Sequence, residues 1–241
     1  MPALIDYLIA IAPAGILALC LLWLIPGTEI AGRTAIYILF FLLARDAMGP
    51  HGFWQLTASS LSLTAPSGVL LGLAAICVGL CLMVWRFEPL LCAQVTYWKQ
   101  GHLLRSVSWG LAGAVFIGCV VLALKAVSGM ASVTGGGWCL DWAVLIFALA
   151  GNAFEELMFR GVLQGRLAQQ LSPMRAIAIP ALLFSLCHAW LAIVVTGIGA
   201  PILVFTLIEG LVAGFVYWRA GLVAAVLAHG LAIYGLAVGL Y

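Results

Sequence analysis

Of the 241 residues, 66% are hydrophobic and 7% charged, whereas a soluble domain averages roughly 45–50% and about 25%. That balance excludes a water-soluble globular protein and leaves no room for a soluble domain outside the apolar stretches. Ten Lys and Arg against eight Asp and Glu give a net charge of +2. The basic residues are scattered singly, so there is neither a polybasic lipid patch nor a stripe for nucleic acid.

The amino terminus, Met1-Pro2-Ala3-Leu4-Ile5-Asp6, lacks a basic n-region and an early small-residue cleavage site. The first apolar stretch therefore reads as a retained span rather than a signal peptide. About 20 apolar residues cross a core roughly 30 Å thick. At that length the chain divides into eight predicted helices: 3–25, 33–49, 67–86, 107–127, 139–160, 175–197, 201–218 and 221–240. Between them fall Pro26-Gly27, Gly49-Pro50-His51-Gly52, Ala65-Pro66-Ser67, Gly135-Gly136-Gly137, Ser172-Pro173 and the segment from Gly197 to Pro201, all turn or breaker signals. The expected fold class is all-α, a polytopic membrane protein of about eight transmembrane helices around a polar intramembrane cavity.

Basic residues set the orientation. Arg33, then Arg86, Lys99 and Arg105, then Arg160, Arg166 and Arg175, then Arg219 fall in or beside the odd-numbered loops. By the positive-inside rule those loops are cytoplasmic and both termini face away. Residues 50–66 and 129–137 carry no Lys or Arg, although Arg45 and Lys125 lie near the far ends of their spans. The seven cysteines are odd in number, and Cys20, Cys77, Cys81 and Cys119 sit in apolar runs. They read as packing residues, not a disulfide framework.

Three polar marks interrupt the apolar helices: Glu155-Glu156-x-x-x-Arg160, Phe184-x-x-x-His188, and His229 within Ala224-Ala225-Val226-Leu227-Ala228-His229-Gly230. Ionisable groups inside a membrane are costly and mark pairing, cavities or function. At 1.5 Å per residue, Glu155 lies about 16 Å beyond Arg166, His188 about 20 Å beyond Arg175 and His229 about 15 Å beyond Arg219. Matched depth on three helices points to one shared polar cavity. Adjacent helical residues point about 100° apart, and Arg160 follows Glu156 by four, the favourable direction for an ion pair. Glu156 is therefore assigned to Arg160, and Glu155 to the cavity. There, beside two histidines, a desolvated carboxylate can act as general base toward water. The bland alternative is an ion-pair network bridging helices.

Rival chemistries can be weighed directly. No His-Glu-x-x-His is present, and Ser185 lacks the small-residue elbow of a serine nucleophile. Cys187 adjoins His188 and so points elsewhere on the helix. No cofactor is called for, although Glu155, His188 and His229 with a water would make a zinc set. Glu209 either lines the same cavity or hydrogen-bonds across helices, and Phe184 reads as packing. Gly68-x-x-x-Gly72, Gly161-x-x-x-Gly165 and Gly210-x-x-x-Gly214 match the close-packing motif, but 27 glycines make chance matches expected, so no oligomeric state follows.

Together the Glu155-Glu156-x-x-x-Arg160, Phe184-x-x-x-His188 and His229 marks resemble the CPBP family, which comprises type II CAAX prenyl endopeptidases and bacteriocin-processing or self-immunity proteins. The likeness covers roughly 138–241, leaving 1–137 as generic transmembrane helices of one integral membrane domain. It implies a glutamate-dependent intramembrane endopeptidase in the cell's inner membrane, with a cavity open to the cytoplasm. Glu155 and His188 would activate water, and His229 would help form the oxyanion site. The implied partners are the bilayer and a membrane-delivered protein or peptide cleaved near its C-terminus. The family usually has Asn or Asp four residues after the last His; here that position is Ile233, which removes an expected oxyanion donor. Tyr234 or Asn152 supplies one only if turned inward. The alternative class is a non-proteolytic immunity or peptide-binding protein, or a small transporter, though no internal repeat of the transporter kind is visible. The topology is checked with reporter tags: 87–105 and 161–174 are expected to report cytoplasm, and 51–65 and 129–137 the opposite side.

Overall fold

The computed structural model describes residues 2–56, 61–99, 102–127 and 140–240. Helices α1 (Pro2–Leu24) and α2 (Ile30–Ala47) come first, followed by strands β1 (Trp54–Leu56) and β2 (Leu61–Leu63). Next are α3 (Ser67–Phe87), the short α4 (Pro89–Cys92) and α5 (Leu103–Val127). After these, α6 (Trp142–Glu156) runs on through a π-helical stretch, Leu157–Gln164, into α7 (Gly165–Leu167). The chain closes with α8 (Pro173–Leu186), a second π-helical stretch (Leu191–Val195), α9 (Ala200–Ala220) and α10 (Leu222–Ala237). The Gly135-Gly136-Gly137 break and the expected 137/138 division lie outside the described residues.

The protein is an all-α polytopic membrane protein. Each predicted span coincides with a helix, but six segments are long and apolar enough to cross a membrane: Ala3–Leu24, Ser67–Phe87, Leu103–Ala126, Trp142–Leu167, Pro173–Val195 and Ala200–Ala220. The other two fall short for different reasons. α10 has only 16 residues, and α2 carries Arg33, Arg45 and Asp46. The predicted loop 50–66 contains a small antiparallel hairpin, with Trp54 opposite Leu63 and Gln55 opposite Ser62. Phe53, just before it, packs on Tyr7 at a ring distance of 5.5 Å.

The exterior is apolar, with Trp23 85% and Leu104 83% exposed, while Glu156 and Arg160 are fully buried. That inversion of the soluble pattern follows from lipid as the outer solvent. α10 packs against α5, α6 and α9, α3 against α6, and α8 against α9, so α6 and α10 carry their polar residues into the middle of the bundle.

Helix ends are satisfied locally. Asp141 caps α6, its carboxylate accepting from the N–H groups of Ala143 (2.9 Å) and Val144 (3.1 Å), a standard remedy for unpaired first-turn donors. At the α9–α10 corner Gly221 has φ +93° with backbone of residues 96–98 only 2.8 Å from where a Cβ would stand, so glycine is required twice over. The close approach lets Leu222 and Val223 N–H donate to the carbonyls of Thr96 and Tyr97. Between α2 and α3, Arg33 makes a two-pronged pair with Glu88, which also accepts from the Tyr37 hydroxyl at 3.0 Å. The remaining Arg33 nitrogen donates to the carbonyls of Leu22 and Ile25. This cluster fixes the α1–α2 turn.

Gly210 and Gly214, taken in the sequence as chance matches, are where α9 meets its neighbours. A Cβ on Gly210 would lie 3.1 Å from the Cα of Ala181 in α8, and one on Gly214 3.0 Å from Gln164 and Ile177. Forcing atoms into such a contact typically costs about 1–3 kcal/mol. Gly210→Ala is therefore expected to lower the unfolding temperature of the detergent-purified protein; an unchanged temperature contradicts this packing.

Candidate active site

Glu155 and Glu156 close α6 where the backbone widens into the π-helical stretch. Such widened turns are uncommon and concentrate at functional sites. Arg160 Nη1 donates to Glu156 Oε1 at 2.8 Å and Nη2 to the Gly210 carbonyl at 3.2 Å. One turn on, Gln164 Nε2 donates to the Gly214 carbonyl at 2.8 Å. The glycines of α9 are what make these carbonyls reachable: no side chain stands between the helices. Phe184 of α8 lies against the same guanidinium, 4.5 Å from ring centre to Cζ, a cation–π contact.

His229 joins this pair from α10. Its Nδ1 lies 2.8 Å from Glu156 Oε1, while Nε2 faces Glu209 Oε2 at 3.5 Å and Glu155 Oε2 at 4.0 Å. Carboxylates thus flank both ring nitrogens. Glu209, which the sequence left between two readings, belongs to this cluster.

His188 stands where α8 ends. Its Nδ1 is 2.8 Å from the Phe184 carbonyl, one of the acceptors that a helix C-terminus leaves unpaired. A carbonyl can only accept, so Nδ1 carries the hydrogen and Nε2 is left as acceptor. This explains the Phe184-x-x-x-His188 spacing: four residues bring the imidazole back over its own helix end. Phe184 also packs its ring 4.6 Å from that of His188 and 5.5 Å from that of His229.

The acceptor nitrogen is met by a residue that sequence reasoning passed over. Arg45 of α2 donates from Nη1 to His188 Nε2 at 3.0 Å and to Glu155 Oε1 at 3.4 Å. Its Nη2 donates to the Cys187 carbonyl at 3.0 Å and to Asp46 Oδ1 at 2.8 Å, and Nε to the same oxygen at 2.9 Å. The sequence treated Arg45 as a misplaced topology marker. The depth count used for the other marks would have found it: twelve residues beyond Arg33 is about 18 Å at helical rise, the same level as Glu155 and His188.

Basic side chains and carboxylates therefore alternate through the interior, Arg45–Glu155–His229–Glu156–Arg160, with Glu209 beside the histidine. Beside Glu155 lies a cavity of ≈ 140 Å³ between α1, α2, α3, α6 and α10, lined by Arg45, Asn152, Tyr7, Cys77 and Ile233 among others. His188 and His229 do not line it. From Glu155 the lining runs to Tyr7, Met48 and Phe147. Nor is Asn152 a ready donor, since its Nδ2 turns back onto the Ala148 carbonyl at 2.6 Å.

Among the described residues no three His, Cys, Asp or Glu side chains converge to hold a metal. The alternative zinc set of Glu155, His188 and His229 fits poorly, because the Arg45 guanidinium already faces His188 Nε2.

Residues 137–234 match the family model described as type II CAAX prenyl endopeptidase Rce1-like. This bears out the resemblance to the CPBP family, a family of intramembrane proteases. The match spans Glu155, Glu156, Arg160, His188, Glu209, His229 and Ile233, and leaves Arg45 outside it. No curated protein and no solved structure matches the chain.

The Glu156–Arg160 pair is fully enclosed. Removing one partner from such a pair commonly costs about 3–5 kcal/mol. Arg160→Ala and Glu156→Gln are each expected to reduce folded yield in detergent, and the double variant to lose less than the sum of the two. Additive losses would show that the two side chains do not depend on each other.

Proposed function

We propose that the chain is an intramembrane endopeptidase that hydrolyses a peptide bond near the C-terminus of a membrane-delivered protein or peptide. The observation that carries this reading is the approach of Glu155 and His188 to a common point, each lying against the same nitrogen of Arg45. A water bound at that point has a carboxylate to take its proton and an imidazole nitrogen to orient it. As the water oxygen adds to the scissile carbonyl carbon, its proton passes to Glu155. The same proton is then delivered to the leaving nitrogen as the C–N bond breaks. The Rce1-like match supports peptide-bond hydrolysis on a lipidated or apolar-tailed substrate. The flanking charges Glu156, Arg160 and Glu209 hold His229 and, through it, the Glu155 side of the site.

A binding-only role, as in an immunity protein, draws on one observation: Ile233, not a donor, faces the cavity beside Glu155. Glu155→Gln separates the two readings, because the amide keeps shape but cannot take up the proton. The variant is expected to insert and accumulate like wild type while C-terminal processing of membrane proteins ceases. Processing at a near wild-type rate would remove Glu155 from the chemistry.

A further inference from the structure

Hydrolysis needs a group to hold the negative charge that develops on the carbonyl oxygen, and the cavity wall offers few. Ile233 has no donor. The Tyr7 hydroxyl donates to the Ala44 carbonyl at 2.9 Å, and Asn152 is turned onto Ala148. Glu155 can only accept. Arg45 is the cation on this wall. Its Nε and Nη2 are fixed on Asp46 and the Cys187 carbonyl, which leaves Nη1 as the edge turned toward the reacting groups. Of its two contacts there, the one to Glu155 is long, 3.4 Å, and easily exchanged.

We infer that Arg45 is the electrophilic residue of this site, donating from Nη1 to the scissile carbonyl oxygen as it becomes an oxyanion; this rests on the hydrolytic reading of Glu155 and His188. In the resting protein Nη1 occupies the point at which Glu155 and His188 would hold water. When water and a substrate carbonyl enter, Nη1 gives up those contacts and takes the carbonyl oxygen, while the Asp46 and Cys187 anchors keep the guanidinium in reach. As the water oxygen bonds to carbon, the carbonyl electron pair moves onto oxygen and the Nη1 hydrogen bond strengthens. Arg45 keeps its proton throughout. A charged donor that binds the transition state better than the ground state acts on kcat.

The experiment begins with C-terminal peptide mass spectrometry of membranes from cells expressing wild type or Glu155→Gln. A synthetic peptide spanning the strongest Glu155-dependent cleavage is then assayed in vesicles. Arg45→Gln is expected to lower kcat about 10²–10³-fold, as for loss of an oxyanion donor, with KM little changed and Arg45→Lys intermediate. Adding Ile233→Asn, which places a donor on the same cavity wall, is expected to restore turnover in Arg45→Gln by about tenfold or more, recovering part of that about 10²–10³-fold loss. A faster Arg45→Gln enzyme would mean that Arg45 is only a latch. A loss that follows folded yield and is not rescued by Ile233→Asn would mean that it is only structural. Either result overturns the inference while leaving Glu155-dependent proteolysis standing. No Glu155-dependent C-termini in wild-type membranes would overturn both.

Discussion

The polar cluster around His229 depends on the enclosed pair of Glu156 and Arg160. Two charges removed from water and lipid headgroups are tolerable only when each finds partners at hydrogen-bond distance. Glu156 is held by Arg160 and His229 together, and Arg160 also reaches the Gly210 carbonyl. One pair thereby links α6 and its π-helical extension with α9 and α10. Glu155, next in the chain, is presented to the cavity because its neighbour is fixed.

The site is built where helices depart from regularity. The wide turn after Glu156 lays Arg160 and Gln164 against the glycine face of α9. The end of α8 frees two carbonyls, of Phe184 and Cys187, which respectively hold His188 and Arg45. Backbone groups that would be a liability in an apolar surrounding thus become the anchors of the side chains proposed to act. The same need for close backbone approach explains glycine at positions 210, 214 and 221.

Arg45 also changes the view of the oxyanion problem posed by Ile233. The Rce1-like match does not include α2, so the proposed reaction centre draws on a helix outside the matched segment. Glu155 and His188 come from within that segment, and their common neighbour comes from the generic-looking half of the chain. The cavity has the same mixed origin, with walls from α1, α2 and α3 as well as α6 and α10.

The sequence by itself determined the all-α membrane class and the identity of most of the cluster. In so apolar a chain Glu155, Glu156, Arg160, His188 and His229 stand out, and helical rise alone puts three of them at one depth. The Glu156–Arg160 pair was legible because its partners are four residues apart on one helix. Glu209 was not, since a lone acid gives no direction; Arg45 was legible only by its depth, because an arginine near a helix end otherwise reads as an interface anchor. The widened turn after Glu156, the cavity walled by α1, α2, α3, α6 and α10, and the approach of Arg45 to His188 were decided only by tertiary structure. Each depends on which helices touch, and that is set by packing between residues distant in the chain, which no local spacing encodes.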